Sequence, residues 1–263
     1  MQLTGGIMRI ISSALTDVGR KRDHNEDNFY LHKEENLFLV ADGMGGHSSG
    51  EVASKIVIDT IKEFFTRTSR DPEATWPYKM YKDKKYEENR LIVSIEEGNK
   101  KVYEHSRKVS KNPKRGMGTT ITAVLFVEGG AYVAWVGDSR IYRIRDNKIE
   151  QISEDHSLLN EMIRKNDMTE EEIENFPHKN VILRAIGLKP RVKVDVKYLP
   201  LKDGDIFLLC SDGLSGEVSD EEMERIVVEA KDLDEATKKL IQAANKHGGK
   251  DNITVALAQY FDN

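Results

Sequence analysis

The chain has only one cysteine, Cys210, so it cannot form an internal disulfide. Cys210 follows the apolar run 206–209, a position typical of a buried structural thiol rather than a nucleophile. No segment approaches the roughly 20 apolar residues of a membrane-spanning helix. The N-terminal residues also lack the basic region and apolar stretch of a secretory signal. We therefore expect a cytoplasmic protein that has no contact with a membrane.

A strong net charge of either sign is also missing. The formal net charge is -5, and Lys and Arg are interleaved with acidic residues along most of the chain. Such a surface excludes a protein that binds nucleic acid mainly by electrostatic attraction. The 263 residues are enough to bury one sizeable core, so we expect a single domain over residues 1–263.

The pattern of apolar residues indicates an α+β fold. Apolar runs predict strands over 37–41, 119–127, 131–136, 192–198, 206–210 and 253–260. Helical spacing predicts helices over 50–68 and 86–109, with two more between 220 and 247. Helices that follow blocks of consecutive strands indicate antiparallel sheets covered by helices. Two polar stretches, 70–89 and 155–190, interrupt the pattern, and the second is the better candidate to border a functional site.

Local signals predict where several helices begin and end. A capping box pairs Ser or Thr with Glu three residues later, so that free backbone donors at a helix start are satisfied. Glycine just beyond the last turn suits a C-terminal cap. The pairs that fit are Ser48 with Glu51, Thr169 with Glu172 and Ser219 with Glu222, and Gly248 fits the cap.

Aspartates mark the ends of the apolar runs. Asp42, Asp138 and Asp212 each follow such a run, and Asp251 begins the last one. In antiparallel neighbours the end of one strand lies beside the start of the next, so these side chains can meet at one sheet edge. Carboxylates brought together repel one another unless cations lie between them. Ligand sets made only of oxygen favour Mg²⁺ or Mn²⁺ over Zn²⁺.

The residues after these aspartates and the basic loop 19–27 complete a catalytic hypothesis. Glycine follows Asp42 and Asp212 and lets a main-chain carbonyl approach whatever the carboxylate binds. A metal pair lowers the pKa of a bridging water and neutralises charge on a transferring phosphoryl group. Arg22 has the planar donor geometry that binds a phosphate. The sequence therefore predicts hydrolysis of a phosphate ester without a protein nucleophile.

Six short motifs follow one another along the chain. They are the segment Gly19 to Asp27 with its Arg22-x-x-Asn25-Glu26-Asp27 pattern, Ala41-Asp42-Gly43-Met44-Gly45-Gly46-His47, Gly116-Met117-Gly118-Thr119-Thr120, Val136-Gly137-Asp138-Ser139-Arg140, Ser211-Asp212-Gly213-Leu214 and Asp251-Asn252-Ile253-Thr254-Val255. In this order they resemble the motifs of the metal-dependent PP2C-type (PPM) protein serine/threonine phosphatases in their bacterial form. The resemblance runs from about residue 10 to residue 260.

The resemblance implies a four-layer αββα sandwich with metals at one end of two antiparallel sheets. It implies Mn²⁺ or Mg²⁺, two per site with a looser third, and phosphorylated proteins as substrates, with a Ser/Thr kinase and its targets as natural partners. Segment 155–187 resembles the family's flap beside the cleft. The implied roles are Asp42 bridging two metals, the Gly43 carbonyl on one of them, Asp212 and Asp251 on the other, Glu26 and Asp27 through waters, Asp138 with Asp212 on the third metal, and Arg22 on the phosphate.

Two features depart from the family pattern. Animal relatives have a histidine in place of Met44, and that histidine is thought to protonate the leaving group. His47 lies nearby as a candidate acid, with water as the competing proton source. The stretch 70–89 also looks longer than in compact bacterial members, and either a partner-docking element or a surface insertion would explain it.

Other site types fit the residues less well. Met44 stands where an aspartyl-nucleophile phosphatase needs a second acid, and no Gly-Lys-Ser/Thr follows the glycines after Asp42. Ser139 lacks the Gly-x-Ser-x-Gly setting of a hydrolase nucleophile. His24, His47 and His156 have no zinc-ligand spacing. The alternative that stays open is a catalytically silent phosphatase-like domain that binds phosphoproteins or senses a metal.

Overall fold

Two antiparallel five-stranded sheets form the centre of the protein. The computed structural model describes residues 8–45, 49–71, 76, 80–109, 116–165, 168–174, 176–178 and 181–262. The strands are Arg9–Asp17 (β1), Asn28–His32 (β2), Leu37–Ala41 (β3), Gly43–Met44 (β4), Gly118–Thr119 (β5), Ile121–Val127 (β6), Gly130–Val136 (β7), Arg140–Arg145 (β8), Lys148–Gln151 (β9), Asp195–Pro200 (β10), Ile206–Cys210 (β11) and Ile253–Phe261 (β12). The α-helices are Ser49–Arg70 (α1), Tyr86–Val109 (α2), Leu158–Lys165 (α3), Glu170–Glu174 (α4), Asp212–Ser215 (α5), Asp220–Glu229 (α6) and Leu233–His247 (α7), and Lys33–Glu35 forms a 3-10 turn.

The sheets and helices stack in four layers. One sheet has the order β1-β12-β11-β8-β9 and the other β10-β7-β6-β3-β2, while β4 and β5 pair separately. The inner core joins the two sheets, and in it Phe126 contacts Phe38 and Phe207 edge to face, with ring centroids 5.6 and 5.4 Å apart. Helices α1 and α2 cover the outer face of the second sheet, and α6 and α7 cover that of the first. The predicted four-layer α+β sandwich is therefore confirmed.

The predicted helices and their end signals agree closely with the structure. The stretch 86–109 is α2, and the other long helix extends one residue earlier and two residues later than predicted. Ser219 accepts the Glu222 backbone N–H at the start of α6, and such a cap is worth about 1 kcal/mol. The Thr169 and Glu172 side chains each accept the other's backbone N–H, as the capping box requires. Gly248 caps α7, whereas Ser48 lies outside the described residues.

Two predicted strands have different bounds. Valines alternate from 192, yet the strand begins at Asp195, which lies opposite Trp135 on β7. Val136 is the last residue of β7, so the run before Asp195 reaches the end of its partner strand, and Val192 and Val194 pack instead on the core between this sheet and helices α1 and α2. The run 119–127 is also divided, since Thr120 leaves the sheet to hold the backbone of Asp42.

Five strands have no counterpart among the strands that the sequence predicts, namely β1, β2, β8, β9 and the two-residue β4. β1, β2, β8 and β9 carry polar residues among short apolar stretches, and β1, β2 and β9 are edge strands of their sheets. An edge strand needs only one buried face and one partner, so its sequence shows a weaker apolar signal than that of a central strand.

The polar stretch 70–89, at the residues that the structure describes, packs on helices α1 and α2. Trp76 lies edge to face against Phe64 of α1, with centroids 5.1 Å apart, and contacts Tyr86 of α2 at 5.5 Å. Asn89 accepts the Tyr81 backbone N–H at 2.7 Å. These contacts indicate that the stretch helps to fasten α1 to α2.

The single cysteine is buried and free, as expected from its position. Burial raises the pKa of the Cys210 thiol to about 12, so the thiolate does not form at neutral pH. None of the described helices combines the length and the apolar character needed to cross a bilayer.

Candidate metal centre

Strand topology brings the predicted aspartates to one end of the sandwich. β3 and β7 both run antiparallel to β6, so they run parallel to each other and their C-terminal ends lie on the same side. Asp42 and Asp138 follow those ends. β11 and β12 are antiparallel, which places Asp212, just after β11, beside Asp251, just before β12.

A close backbone approach joins the second pair. A Cβ atom on Gly213 would lie 2.0 Å from the Asn252 carbonyl oxygen, a distance that no side chain tolerates. Only glycine therefore lets the turn after Asp212 pack against the residue that follows Asp251. The same holds at Gly43, where a Cβ would lie 2.3 Å from the Gly50 carbonyl oxygen.

Asp42 is the electrostatic centre of the group. Burial raises the pKa of Asp42 well above its ordinary value, and the charges of Asp27, Asp212, Asp138 and Asp251 raise it further. These carboxylates are therefore close enough to repel one another, which is the condition that bound cations relieve.

Asp138 gives the clearest sign of a missing partner. Its Oδ1 atom is buried and accepts no hydrogen bond from any described residue. Burial, followed by the charge of Asp212, raises the pKa of Asp138 to about 7. A buried carboxylate oxygen without a donor is costly unless a cation or water binds it. The oxygen-only donor set and this orphaned atom fit a hard divalent cation.

The carboxylates are neighbours, but their side chains are not arranged around one common metal position. Within the described ranges, no three His, Cys, Asp or Glu side chains surround a common point at metal-binding distances. Burial and the charge of Asp251 nevertheless raise the pKa of Asp212, so this side chain also lies in the repulsive group. The mutual repulsion of these carboxylates and the orphaned oxygen of Asp138 are the two features that a bound cation would relieve.

Arg22 contacts a predicted metal ligand. Its Nη2 lies 2.6 Å from Asp251 Oδ2, and the two side chains are 52% and 36% exposed. The hydrogen bond that Arg22 donates to Asp251, which outweighs burial, raises the pKa of Arg22, so the guanidinium is charged. One contact uses one of the five N–H donors of the guanidinium. Arg22 therefore lies at the solvent-facing edge of the carboxylate group, where an anion can reach it.

Asp27 lies deeper than the other acids, and Glu26 lies against the turn after Asp42. Burial raises the pKa of Asp27 to about 7, although hydrogen bonds from Thr254 and Ser211 oppose the rise. Ser211 Oγ donates to Asp27 Oδ2 at 2.7 Å. A Cβ on Gly43 would lie 2.4 Å from the Glu26 carbonyl oxygen, so their backbones are in close contact.

The structure also shows supporting residues that the sequence did not single out. Thr120 Oγ1 accepts the Asp42 backbone N–H at 2.9 Å and bonds Ser139 Oγ at 2.7 Å. Thr119 Oγ1 donates to the Asp42 carbonyl oxygen at 2.8 Å. These bonds link the turn that carries Asp42 to the turn that carries Asp138. Their only sequence signal was the threonine pair within the third motif.

Asn252 holds the loop that carries Arg22 and Glu26. Its Oδ1 accepts the Glu26 backbone N–H at 2.8 Å, and its Nδ2 donates to the carbonyl oxygens of Val18 and His24 at 2.9 and 3.0 Å. Asn252 is 5% exposed, and these three hydrogen bonds of its side chain all go to backbone groups of the segment 18–26. It therefore ties the first motif to the last one.

Ser139, His24 and His156, the residues that other types of catalytic or zinc site would use, are bonded to neighbouring residues instead. Ser139 is 1% exposed and bonded to Thr120, unlike an accessible nucleophile. His24 Nε2 lies 3.2 Å from Glu26 Oε1, while His156 bonds Gly137 and Asp195. His47, the candidate acid, lies outside the described residues.

Comparison with known proteins identifies the family. A family model described as Protein phosphatase 2C matches residues 19–258. The serine/threonine phosphatase stp of Listeria monocytogenes serotype 4b is 38% identical over 251 residues, which cover 93% of each chain. The solved Mycobacterium tuberculosis serine/threonine phosphatase PstP/Ppp has a TM-score of 0.81 and 31% identity, over 97% of this chain and 99% of that one. A catalytic domain of the phosphatase PstP, solved with two manganese ions, has a TM-score of 0.77 and 30% identity, over 97% of this chain and 100% of that one.

The fold, the acidic end of the sandwich and these relatives define a metal-dependent protein phosphatase. The chain belongs to the protein phosphatase 2C family. The predictions of an enzyme, of the serine/threonine phosphatase class and of a bacterial type are confirmed, and phosphoproteins are its substrate class.

Proposed function

We propose that this chain, as a single domain, hydrolyses phosphoserine and phosphothreonine in proteins with two Mn²⁺ or Mg²⁺ ions. Asp42 and the Gly43 carbonyl would hold one ion, and Asp212 and Asp251 the other, with Asp42 shared between them. The observation that carries the proposal is the repulsive carboxylate group around Asp42, with one buried oxygen, Oδ1 of Asp138, that accepts no hydrogen bond from the described residues. When bound, such ions lower the pKa of a water and offset charge on the phosphoryl group.

The remaining acids would act around this pair. Glu26 and Asp27 lie behind it and would bind ordered waters rather than ions, which agrees with the buried hydrogen bond from Ser211 to Asp27. Asp138 and Asp212 would hold a third, looser ion. The charge of Asp212 acts directly on Asp138, which supports a shared site for the two.

Arg22 would orient the phosphate. A guanidinium fork binds two phosphate oxygens, and the exposed position of Arg22 lets a substrate reach it. The contact between Arg22 and Asp251 would hold the arginine in place before substrate binds. The proton for the leaving group would come either from His47 or from water.

The flap-like segment 155–190 would select among phosphoproteins. It lies beside the Asp138 turn and is joined to the body at both ends, by an Ile186 bridge to Thr119 and by a His156 contact with Gly137. A Ser/Thr kinase and its targets are the partners that this chemistry would serve.

Phosphate release from a phosphothreonine peptide, measured with Mn²⁺ and then with excess chelator, tests the proposal. We expect release only with the ion, and we expect a phosphotyrosine peptide to be cleaved much more slowly. Asp42→Asn should abolish release, while Asp146→Asn, at an exposed turn with φ of 52° that asparagine tolerates, should behave as wild type.

The alternative is a silent domain that binds phosphoproteins or senses a metal. The full set of Arg22, Asp42, Asp212 and Asp251 argues against it, because a silent relative would be expected to have lost a ligand. No phosphate release under any metal condition, with retained Mn²⁺ binding, would establish that alternative.

A further inference from the structure

His156 lies where three segments of the chain meet. It follows β9 and precedes α3, and its side chain is 8% exposed. Its Nδ1 accepts the Gly137 backbone N–H at 3.0 Å, and its own backbone N–H donates to the Gly137 carbonyl oxygen at 2.9 Å. Both polar groups of Gly137 are thus held by one residue that lies 19 positions away.

The second ring nitrogen contacts β10. His156 Nε2 lies 2.9 Å from Asp195 Oδ2. Because a backbone N–H only donates, Nδ1 must be unprotonated, so Nε2 carries the hydrogen and donates to Asp195. Arg184 Nη1 lies 3.0 Å from Nε2, but its bond goes to Asp195 Oδ2 at 2.9 Å, since two donors cannot bond each other.

These contacts join both ends of the flap-like segment to the sheet. Leu183 donates its backbone N–H to the His156 carbonyl oxygen at 2.7 Å, and Arg184 follows it. The His156 ring also stacks on Trp135 of β7, with centroids 6.3 Å apart and an interplanar angle of 20°. The backbone and ring of one residue, His156, therefore contact the return of the segment and the sheet beneath it.

The turn that His156 holds is the one that presents Asp138. Gly137 has φ of +116°, a conformation that favours glycine, and a Cβ there would lie 2.6 Å from Thr120 Cγ2. A backbone turn in this conformation keeps its shape only when neighbouring residues hold it. His156 does so through its hydrogen bonds to the N–H and the carbonyl oxygen of Gly137. Any displacement of Gly137 moves the carboxylate of the next residue.

We propose that His156 is a positioning residue, which in its Nε2–H tautomer fixes the Gly137 turn and thereby sets the place of Asp138 for the metal. The inference rests on the proposed function, in which Asp138 binds the third ion. It adds that the flap-like segment and the metal centre are mechanically joined through one ring. The competing explanation is a buried histidine that stabilises the fold without any effect on the metal.

Two substitutions separate the ring nitrogens. His156→Asn keeps an acceptor near the place of Nδ1 and loses the reach to Asp195. His156→Gln keeps a donor near the place of Nε2 and leaves the Gly137 N–H without an acceptor. His105→Gln on the outer helix α2 is the matched control.

Manganese binding, followed by titration calorimetry and by the Mn²⁺ dependence of aryl phosphate turnover, gives the test. We expect His156→Gln to weaken the loosest Mn²⁺ site about 10-fold, the range for residues that orient ligands. His156→Asn should stay within about threefold of wild type by the same measure. KM for the aryl phosphate should change less than the Mn²⁺ requirement, and unfolding temperatures should fall similarly in both variants.

The inference is overturned if Mn²⁺ binding is unchanged in His156→Gln. It is also overturned if both variants weaken Mn²⁺ binding by the same factor and that factor follows their loss of stability. Should His156→Gln not fold, ¹⁵N correlation spectra of wild-type His156 decide the matter, since an Nδ1–H tautomer contradicts the proposed contact and an Nε2–H tautomer supports it. Failure of the proposed function would instead appear in the wild-type protein, as absent Mn²⁺ binding or absent phosphate release.

Discussion

Removing the charge of Asp138 should stabilise the metal-free protein. The pKa of this carboxyl is raised to about 7 by burial and by Asp212, and its Oδ1 has no donor among the described residues. Each pKa unit is worth about 1.4 kcal/mol, so a rise from 3.8 costs the metal-free fold at most about 4 kcal/mol above pH 7. Relaxation and water lower this cost, and we expect Asp138→Asn to recover about 2 kcal/mol.

The sign of the pH dependence follows from the same pKa. An acid whose pKa is raised on folding binds its proton more tightly in the folded state, so the cost is present above pH 7 and is lost as the pH falls towards 3.8. The stability difference between Asp138→Asn and wild type should therefore be largest near pH 8 and shrink steadily towards pH 5.

Thermal and urea unfolding of chelator-treated protein at several pH values measures this effect. At about 2–4 °C per kcal/mol for a chain of this size, we expect the unfolding temperature to rise by about 4–8 °C at pH 8. Asp205→Asn is the control, because Asp205 is 1% exposed and binds Arg145 at 2.6 Å, so loss of its charge should destabilise by about 3 kcal/mol. A destabilised Asp138→Asn protein, or a difference independent of pH, would show that the Asp138 charge does not destabilise the metal-free fold.

Further predictions concern the phosphate contact, the Asp42 support and the stretch 70–89. Arg22→Ala should lower kcat/KM for a phosphopeptide about 10- to 100-fold and change stability by less than about 0.5 kcal/mol, because Arg22 is exposed; Arg22→Lys should recover little, since lysine lacks the fork. Thr120→Val removes the acceptor of the Asp42 N–H and should destabilise by about 1–3 kcal/mol in urea unfolding, with a higher Mn²⁺ requirement. Trp76→Ala should cost about 2 kcal/mol through lost packing on Phe64 while sparing aryl phosphate turnover; equal losses of stability and turnover would contradict the separation of this stretch from the site.

The sequence predicted the parts of the protein that have a local pattern. Asp42, Asp138 and Asp212 follow strongly apolar central strands, so the strands and the residues at their ends were both visible. Their convergence followed from antiparallel pairing, which the structure confirms. Edge strands such as β9 were missed because a partly exposed ribbon carries little apolar signal.

The supporting hydrogen bonds could not be predicted. Thr120 and Asp42 are 78 positions apart, and Asn252 and Glu26 are 226 apart, so nothing in the local sequence indicates that they bond. The sequence offers His156 only as an unsuitable zinc ligand, because its contact with Gly137 depends on how the segment after β9 returns to the sheet. Polar contacts across distant segments are set by tertiary packing, which one sequence does not encode in any short pattern.

In the proposed function, acids from four separate turns hold divalent ions at one end of the sandwich. Anomalous diffraction at the manganese edge, from crystals of the whole chain equilibrated with Mn²⁺, tests it most directly. We expect a pair of peaks bound by Asp42, Asp212 and Asp251, with a weaker peak at Asp138. Peaks elsewhere on the protein, or none at this end in crystals of active enzyme, would contradict it.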